Sequence, residues 1–450
     1  MNFIDAVNKT FTLVDFERNQ NFPMHSTFHL QRISEFLDQL SNPHLKIPAI
    51  HVAGTKGKGS VCSMISSVLS QSGYKVGLIT SPHLHSVTER IRIGYRPIDQ
   101  NDFIDLVNEL WPKVENYNRT SCYGELTWFE FMIAASFYYF EKCDADFQVV
   151  ETGLGGRLDA TNVLLPKVSV ITSISLDHTK ILGETIEEIA FEKGGIIKSG
   201  IPVVLSPQTF YEATEVIKDI ANKRNSKLVN VSDLFSVQNV CNFKEFQVFD
   251  VKTEHSNFQL ELGLLGHHQI ENSLTALGAI NVLKKSGVEI SQNAIDQGFK
   301  NVRWSGRLEY LSTGQSGFEL LVDGAHNVYS MECLVREIKN LKYKNLILIF
   351  GGFNSHDLEG MLKVLLELDP ILIGVNSRHP KSVQASVIDS ISENIKFRKR
   401  FFYDSVEEGF DYASNISVEG DLILATGSLS VVAEVIESQK EMLPELYQKF

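Results

Sequence analysis

His51-Val52-Ala53-Gly54-Thr55-Lys56-Gly57-Lys58-Gly59-Ser60 is the stretch that decides how this chain folds. The run Ile47 to Val52 leading into it is apolar and β-branched, as expected of a strand buried on both faces, and Val61 to Ser72 beyond it carries a helical pattern. Strand, glycine turn and helix in that order are the setting of a phosphate-binding loop. Glycines let backbone N–H groups turn toward phosphate oxygens, and the helix start adds unpaired donors and the positive end of its dipole. Lys58 can reach terminal phosphates, and the Ser60 hydroxyl can ligate magnesium. The spacing is not the common Walker form: Gly59 stands between Lys58 and Ser60, and fewer residues separate the first glycine from the Gly-Lys pair. The plain alternative is a glycine turn joining a strand to a helix.

Working outward, further short runs rich in Ile and Val end at polar turns: Phe147 to Val150 before Glu151, Val168 to Thr172 before Ser173, and Val203 to Leu205 before Ser206. Their alternation with helical patterns predicts an α/β domain with a parallel sheet. Leu264 to Lys285 reads as a loop and then a helix, with Leu274, Leu277, Ile280 and Leu283 at helical spacing. After a junction near Asn301 to Arg307 the rhythm restarts in Glu319 to Val322, Leu346 to Phe350, Ile371 to Val375, Arg400 to Tyr403 and Leu422 to Ala425. The predicted architecture is therefore α/β with two domains. A larger P-loop-type, mostly parallel sheet domain spans 1–300, a linker 301–307, and a smaller Rossmann-like domain 308–450. Asp323, Gly351, Gly352, Gly427 and Ser428 follow predicted strands of the smaller domain, where open α/β sheets bind ligands.

The 450 residues are 43% hydrophobic and 22% charged, a composition that supports two buried cores. No apolar stretch is long enough to span a membrane, and Asp5, Lys9, Asp15, Glu17 and Arg18 interrupt the segment up to Gln20 where a signal peptide would need an apolar core. The five cysteines, Cys62, Cys122, Cys143, Cys241 and Cys333, are scattered and include no CxxC, which argues against a disulfide framework and against a zinc site. A cytoplasmic location is expected. The net charge of −13 repels phosphate polymers and anionic membranes, so neither nucleic acid nor a membrane is an expected partner. An anionic substrate must then be met by local cations.

Taken together, the motifs resemble a known family. Gly-Thr-x-Gly-Lys-Gly-Ser resembles the loop of the Mur ligase superfamily, and the rest resembles its folylpolyglutamate synthase and dihydrofolate synthase branch. The matching pieces run through Thr80-Ser81-Pro82-His83-Leu84 with Glu89-Arg90-Ile91, Thr127-Trp128-Phe129-Glu130, Glu151 to Asn162, Leu176-Asp177-His178-Thr179 and Phe191 to Lys198. They continue through His268-Gln269 with Asn272, Trp304-Ser305-Gly306-Arg307, Asp323-Gly324-Ala325-His326-Asn327 and Thr426-Gly427-Ser428. Two departures are visible: Lys56 where the loop often has Asn, and Gly194 where Ala usually follows the lysine. Lys56 either places an extra cation near phosphate or faces solvent.

The resemblance implies an ATP- and magnesium-dependent monomer that joins L-glutamate to dihydropteroate, to a reduced folate, or to both, through an acyl phosphate. It implies two magnesium sites and leaves room for a monovalent cation. Gly54, Thr55, Gly57, Lys58, Gly59 and Ser60 would hold the nucleotide phosphates, with Asn272 at adenine, Arg307 at the phosphates and Asp323 on the ribose side. Lys58, Glu151, His178 and Lys193 would be the catalytic group. Metal would be held by Ser60, Glu151, His178 and Lys193, the last as a carbamate that turns a cation into a carboxylate. Read without the resemblance, Lys193 is a solvated helix lysine paired with Glu188 or Glu192.

The resemblance puts the folate near Ser81, Pro82, His83, Leu84, Thr127, Phe129, Glu130, Leu158 and Asp159. Phe129 would be the aromatic wall for a pterin, and Glu130 or Asp159 its acidic partner. Trp128, Phe129, Phe131, Phe137, Tyr138 and Phe140 also read as plain core. His326 and Ser428 are candidates for holding glutamate, although either can be loop chemistry. The competing functions are another amino-acid ligase of the superfamily and a non-catalytic ATP-binding regulator. The first would carry a longer N-terminal domain, and the second would have lost Lys58, Glu151 or Lys193.

Overall fold

The computed structural model describes residues 1–15, 29–313 and 317–445; Glu17, Arg18 and Gln20 of the N-terminal reading lie outside them. Strands β1 (Ala49–Ala53), β2 (Val76–Ile79), β3 (Ile91–Ile93), β4 (Arg96–Pro97), β5 (Phe147–Glu151), β6 (Val168–Ile171), β7 (Val203–Leu205) and β8 (Leu228–Asn230) form one sheet in the order β4-β3-β2-β5-β1-β6-β7-β8. β1 pairs in parallel with β5 on one side and β6 on the other, and all five of its residues are buried. The register sets Val52 opposite Glu151 and Val170. The turns after β1, β5 and β6 therefore open side by side at the carboxyl edge, where such sheets bind ligands. Only the β3–β4 edge is antiparallel.

Helices cover both faces of this sheet, as a parallel sheet requires. The helices Lys58–Gln71, His267–Lys285 and Gln292–Asn301 bury Val61, Ile65, Leu274, Ile280, Ile295 and Phe299 on one face. On the other, Leu30–Gln39, Gln100–Thr120 and Trp128–Lys142 bury Ile33, Phe36, Phe103, Leu110, Phe131 and Phe137. The aromatic run is mostly core, with Trp128, Phe131, Phe137 and Phe140 fully buried and Phe129 and Tyr138 only partly so. Strands β9 (Ser236–Asn242), β10 (Gln247–Lys252) and β11 (Asn257–Leu262) add a small antiparallel sheet absent from the sequence reading. It contributes Phe249, Val251, Leu260 and Leu262 to the first core.

A separate sheet follows: β12 (Glu309–Leu311), β13 (Glu319–Val322), β14 (Leu346–Phe350), β15 (Ile371–Val375), β16 (Lys399–Tyr403) and β17 (Leu422–Thr426), in the order β12-β13-β17-β14-β15-β16. All but the edge strand β12 run parallel. Its cores, around Leu348, Phe350 and Leu362 on one face and Ile349, Val375 and Val432 on the other, are its own. Between the sheets, Gly306 N–H donates to Glu309 and Gly306 O accepts from Gly324 N–H. Among the described residues no helix is long and apolar enough to cross a membrane.

Candidate functional site

The loop after β1 is shaped to receive phosphate. Gly57 is the N-cap of the helix Lys58–Gln71 at φ +85°, and no side chain caps that helix end. Its first N–H groups are left for a ligand. A side chain at Gly57 would strike the Asn272 amide, which therefore lies directly over the loop, with its Nδ2 donating to Gln269 Oε1 at 3.0 Å. Thr55 anchors the loop to the turn after β6: its N–H donates to Ser173 O at 2.8 Å, its hydroxyl donates to Ser175 O and accepts from Ser175 N–H. Gly54, Gly57, Lys58, Gly59 and Ser60 thus come together on one turn, with Ser60 buried in the first turn of the helix.

Glu151 ends β5 in the interior, where burial raises its pKa against the opposing pull of Lys58. Its Oε1 lies 3.9 Å from Lys58 Nζ, and its Oε2 accepts from Ser81 N–H at 3.0 Å. Lys193 is not a solvated helix residue. It is 4% exposed, and its Nζ donates to Gly54 O at 2.9 Å. Burial, reinforced by Lys58, brings its pKa down to about 7. Glu192, one alternative partner, is taken by Arg157 at 2.8 Å, and Glu188 caps its own helix through Thr185. His178 sits at φ +50° in the turn after β6, half exposed, its pKa lowered by desolvation with Asp177 opposing.

These donors fit a hard divalent cation in part. Among the described residues no three His, Cys, Asp or Glu side chains form a cage. Glu151 and the Ser60 hydroxyl are the oxygen donors one expects where phosphates and water complete the shell. A bare Lys193 ammonium beside Lys58 repels a cation; an amine near neutrality that adds carbon dioxide would instead supply an anionic oxygen.

Arg307, at the end of the linker, reaches the same cleft; burial chiefly lowers the pKa of Lys56 and of His326, and Arg307 adds to both in the same direction. His326 follows β13 and donates through Nδ1 to Gly324 O at 2.9 Å. Two residues of the expected site are tied to their own backbone here. Asp323 is buried, with Oδ2 accepting from Leu308 N–H and Oδ1 from Ala325 N–H, both at 2.9 Å, so it pins the linker to the second sheet. Ser428 is 1% exposed and its Oγ accepts from Val431 N–H as the N-cap of the helix Leu429–Lys440.

The expected folate side divides likewise. Phe129 lies against Gly153 and lines a small cavity with Ile79, Thr80 and Arg90. Thr127 and Glu130 instead form a capping box, and Glu130 also accepts from Arg32 Nε at 2.7 Å in a buried ion pair. Both hold the helices together. Asp159 is also turned inward, accepting from Leu154 N–H at 2.8 Å, from Thr161 N–H at 3.0 Å and from the Thr161 hydroxyl. Leu158 beside it is half-buried and Pro82 exposed. His83 Nδ1 accepts from Arg90 Nε at 2.7 Å, and Arg90 stacks on Trp128. Leu84 packs near Gly306 at the linker.

Sequence reasoning missed Asp177 as a site residue. It accepts from Lys56 Nζ at 3.2 Å, and although desolvation would raise its pKa, Lys56, His178 and His326 together bring it down. Its place beside His178 in Leu-Asp-His-Thr was the available signal. Missed too was the pairing of His85 with Glu437 at 3.0 Å, which links the two halves of the cleft and has no local signature.

A phosphate loop with an uncapped helix end, facing a second α/β sheet across a cleft, defines a Mur-type ligase. The Mur ligase middle domain matches residues 120–280, and the Mur ligase glutamate ligase domain matches residues 306–429. The dihydrofolate synthase/folylpolyglutamate synthase of Bacillus subtilis is 34% identical over 411 residues, 90% of this chain and 94% of that protein. The chain belongs to the dihydrofolate synthase/folylpolyglutamate synthase family. Folylpolyglutamate synthase of Thermotoga maritima superposes with a TM-score of 0.84 at 31% identity, covering 97% of this chain and 96% of that one. The Mycobacterium tuberculosis folylpolyglutamate synthase solved with ADP and AMPPCP gives 0.86 at 26% identity, covering 98% and 100%.

Proposed function

We propose that this protein condenses L-glutamate with dihydropteroate, with a reduced folate, or with both, using ATP. The observation that carries the reading is the convergence of the uncapped Gly57–Ser60 turn, Lys58 and buried Glu151 with near-neutral Lys193 on one edge of the sheet, facing Arg307 and His326. ATP phosphates lie on the loop N–H groups and Lys58. The substrate carboxylate attacks the γ-phosphorus, ADP leaves, and Lys58 and Arg307 meet the charge that develops on the transferred group. The glutamate amine then attacks the acyl carbon and releases phosphate.

Magnesium, with a second ion, would be held by Ser60, Glu151, His178 and a carbamate on Lys193, and would supply charge neutralisation at the phosphates. A monovalent cation remains compatible with this site. Asn272, lying over Gly57, supports the adenine-side assignment. Phe129 with Arg90 and Thr80 supports a pterin wall near Ser81 to Leu84. The domain boundary is proposed within 301–307. Five free thiols support a cytoplasmic location, and the enzyme is proposed to act as a monomer. Phosphate release with ATP, magnesium and glutamate tests the reading, with dihydropteroate in one reaction and a reduced folate in the other. Turnover above a Lys58→Ala control in either supports it; no turnover in both overturns it.

A further inference from the structure

Lys56 is the loop residue whose side chain the sequence left unassigned, and it does not face solvent. Its Nζ lies 3.2 Å from Asp177 Oδ2 in the turn after β6 and 3.4 Å from His326 Nε2 in the turn after β13. Lys56 and Asp177 belong to the large sheet's edge and His326 to the second sheet, 270 residues away in sequence. The hydrogen-bond sense is fixed by chemistry. Gly324 O can only accept, so His326 Nδ1 carries the ring proton toward it, and Nε2 presents a lone pair to the Lys56 ammonium. An ammonium has three donors: one meets Asp177, one meets His326, and the third remains for the loop's ligand.

We propose that Lys56 is a positioning residue that joins the phosphate loop to His326, so that nucleotide in the loop sets where the small domain holds the incoming amino acid. The proposal rests on the reading of the cleft given above, in which the loop holds ATP and His326 faces glutamate. Lys58 and Arg307 crowd Lys56 with positive charge that Asp177 opposes. An anionic triphosphate relieves that crowding and so favours the closed arrangement in which the Lys56 to His326 bond exists. His326 is kept neutral in this arrangement by burial and by Lys56, with His356 and Arg307 acting in the same direction and Gly324 O opposing.

The test is steady-state kinetics of the full chain carrying Lys56→Met, Lys56→Asn or Lys56→Arg, with ATP and glutamate varied separately. Loss of a hydrogen bond to a charged group is expected to raise the glutamate KM about tenfold in the Met and Asn variants. The ATP KM should stay within about threefold, because the loop N–H groups and Lys58 still hold the phosphates. Lys56→Arg, whose guanidinium can span Asp177 and His326, should recover most of the loss. A double-mutant cycle of Lys56→Met with His326→Ala should be non-additive, since the two changes remove one contact. An unchanged glutamate KM, a loss confined to the ATP KM, or an additive cycle overturns the proposal while wild-type turnover leaves the ligase reading standing. Absence of wild-type ligation overturns both.

Discussion

Gly57→Ala probes the phosphate loop at its tightest point. At φ +85° a Cβ would fall 2.9 Å from Asn272 Cγ and closer still to its Oδ1, so either the loop or Asn272 must move. The left-handed backbone alone costs an alanine about 1–2 kcal/mol. Gly73 separates that cost from the clash, because it has φ +91° and nothing within 4 Å of its Cβ position. Both variants should lose about 1–2 kcal/mol of stability in urea unfolding. Only Gly57→Ala also displaces phosphate-binding groups. A misplacement of about 1 Å near reacting atoms costs about 100-fold, so kcat/KM for ATP should fall by about that factor in Gly57→Ala and stay within about twofold in Gly73→Ala. ADP production at saturating glutamate and folate reads this out. Normal ATP kinetics in Gly57→Ala, or the same loss in both glycine variants, would refute the argument that this backbone geometry binds the phosphates.

Lys58→Ala should lower kcat by about 100- to 1,000-fold, the usual cost of deleting one preorganised group that meets transition-state charge, with single-turnover phosphate release as the measurement. Lys193 gives a stability test as well as a kinetic one. Its amine is held at about 7 against 10.5 for a free lysine, so the folded protein binds fewer protons than the unfolded chain. That penalty is fully present below pH 7 and fades as pH rises toward 10.5; its size is on the order of 5 kcal/mol, partly offset by the bond to Gly54 O. In bicarbonate-free buffer, where Lys193 is a free amine, Lys193→Met should therefore be more stable than wild type at pH 6, with the advantage shrinking by pH 9 in urea unfolding, and it should be inactive with bicarbonate present. Degassed, bicarbonate-free buffer should depress wild-type turnover, and added bicarbonate should restore it. Arg32→Ala leaves Glu130 buried without its ion pair, and should cost about 3–5 kcal/mol in urea unfolding while ATP binding by calorimetry is retained.

The strands that surround the cleft were legible because they are buried on both faces. Val203–Leu205, Leu346–Phe350 and Ile371–Val375 are continuous apolar runs, and Glu319–Val322 is apolar after its first residue; the structure has all four with the same ends. Ser236–Asn242 was not legible, since nearly all of it is exposed and its residues form no apolar run. Val76–Ile79 was obscured by Gly77, which is there because Phe140 fills the space of a side chain. The phosphate loop was legible for the opposite reason: its chemistry lies within ten consecutive residues. Thr127, Asp159 and Ser428 also serve as N-caps of the helices they precede, and Glu130 completes the capping box of Thr127, roles the sequence reading did not assign. The Thr-x-x-Glu spacing of a capping box was there to be read. Burial of Lys193 against Gly54 O, and the reach of Lys56 to His326, join residues 139 and 270 positions apart. No local pattern encodes such pairs.

Oxygen-18 transfer tests ligation through an acyl phosphate most directly. Dihydropteroate, and in parallel a reduced folate, would be labelled in the reacting carboxylate and incubated with the enzyme, ATP, magnesium and L-glutamate, with phosphate and product analysed by mass spectrometry. The account predicts a product heavier by one glutamyl residue from at least one substrate, ADP as the nucleotide product, and one labelled oxygen in each phosphate released with it. Unlabelled phosphate accompanying ligated product, or AMP with pyrophosphate, would contradict it.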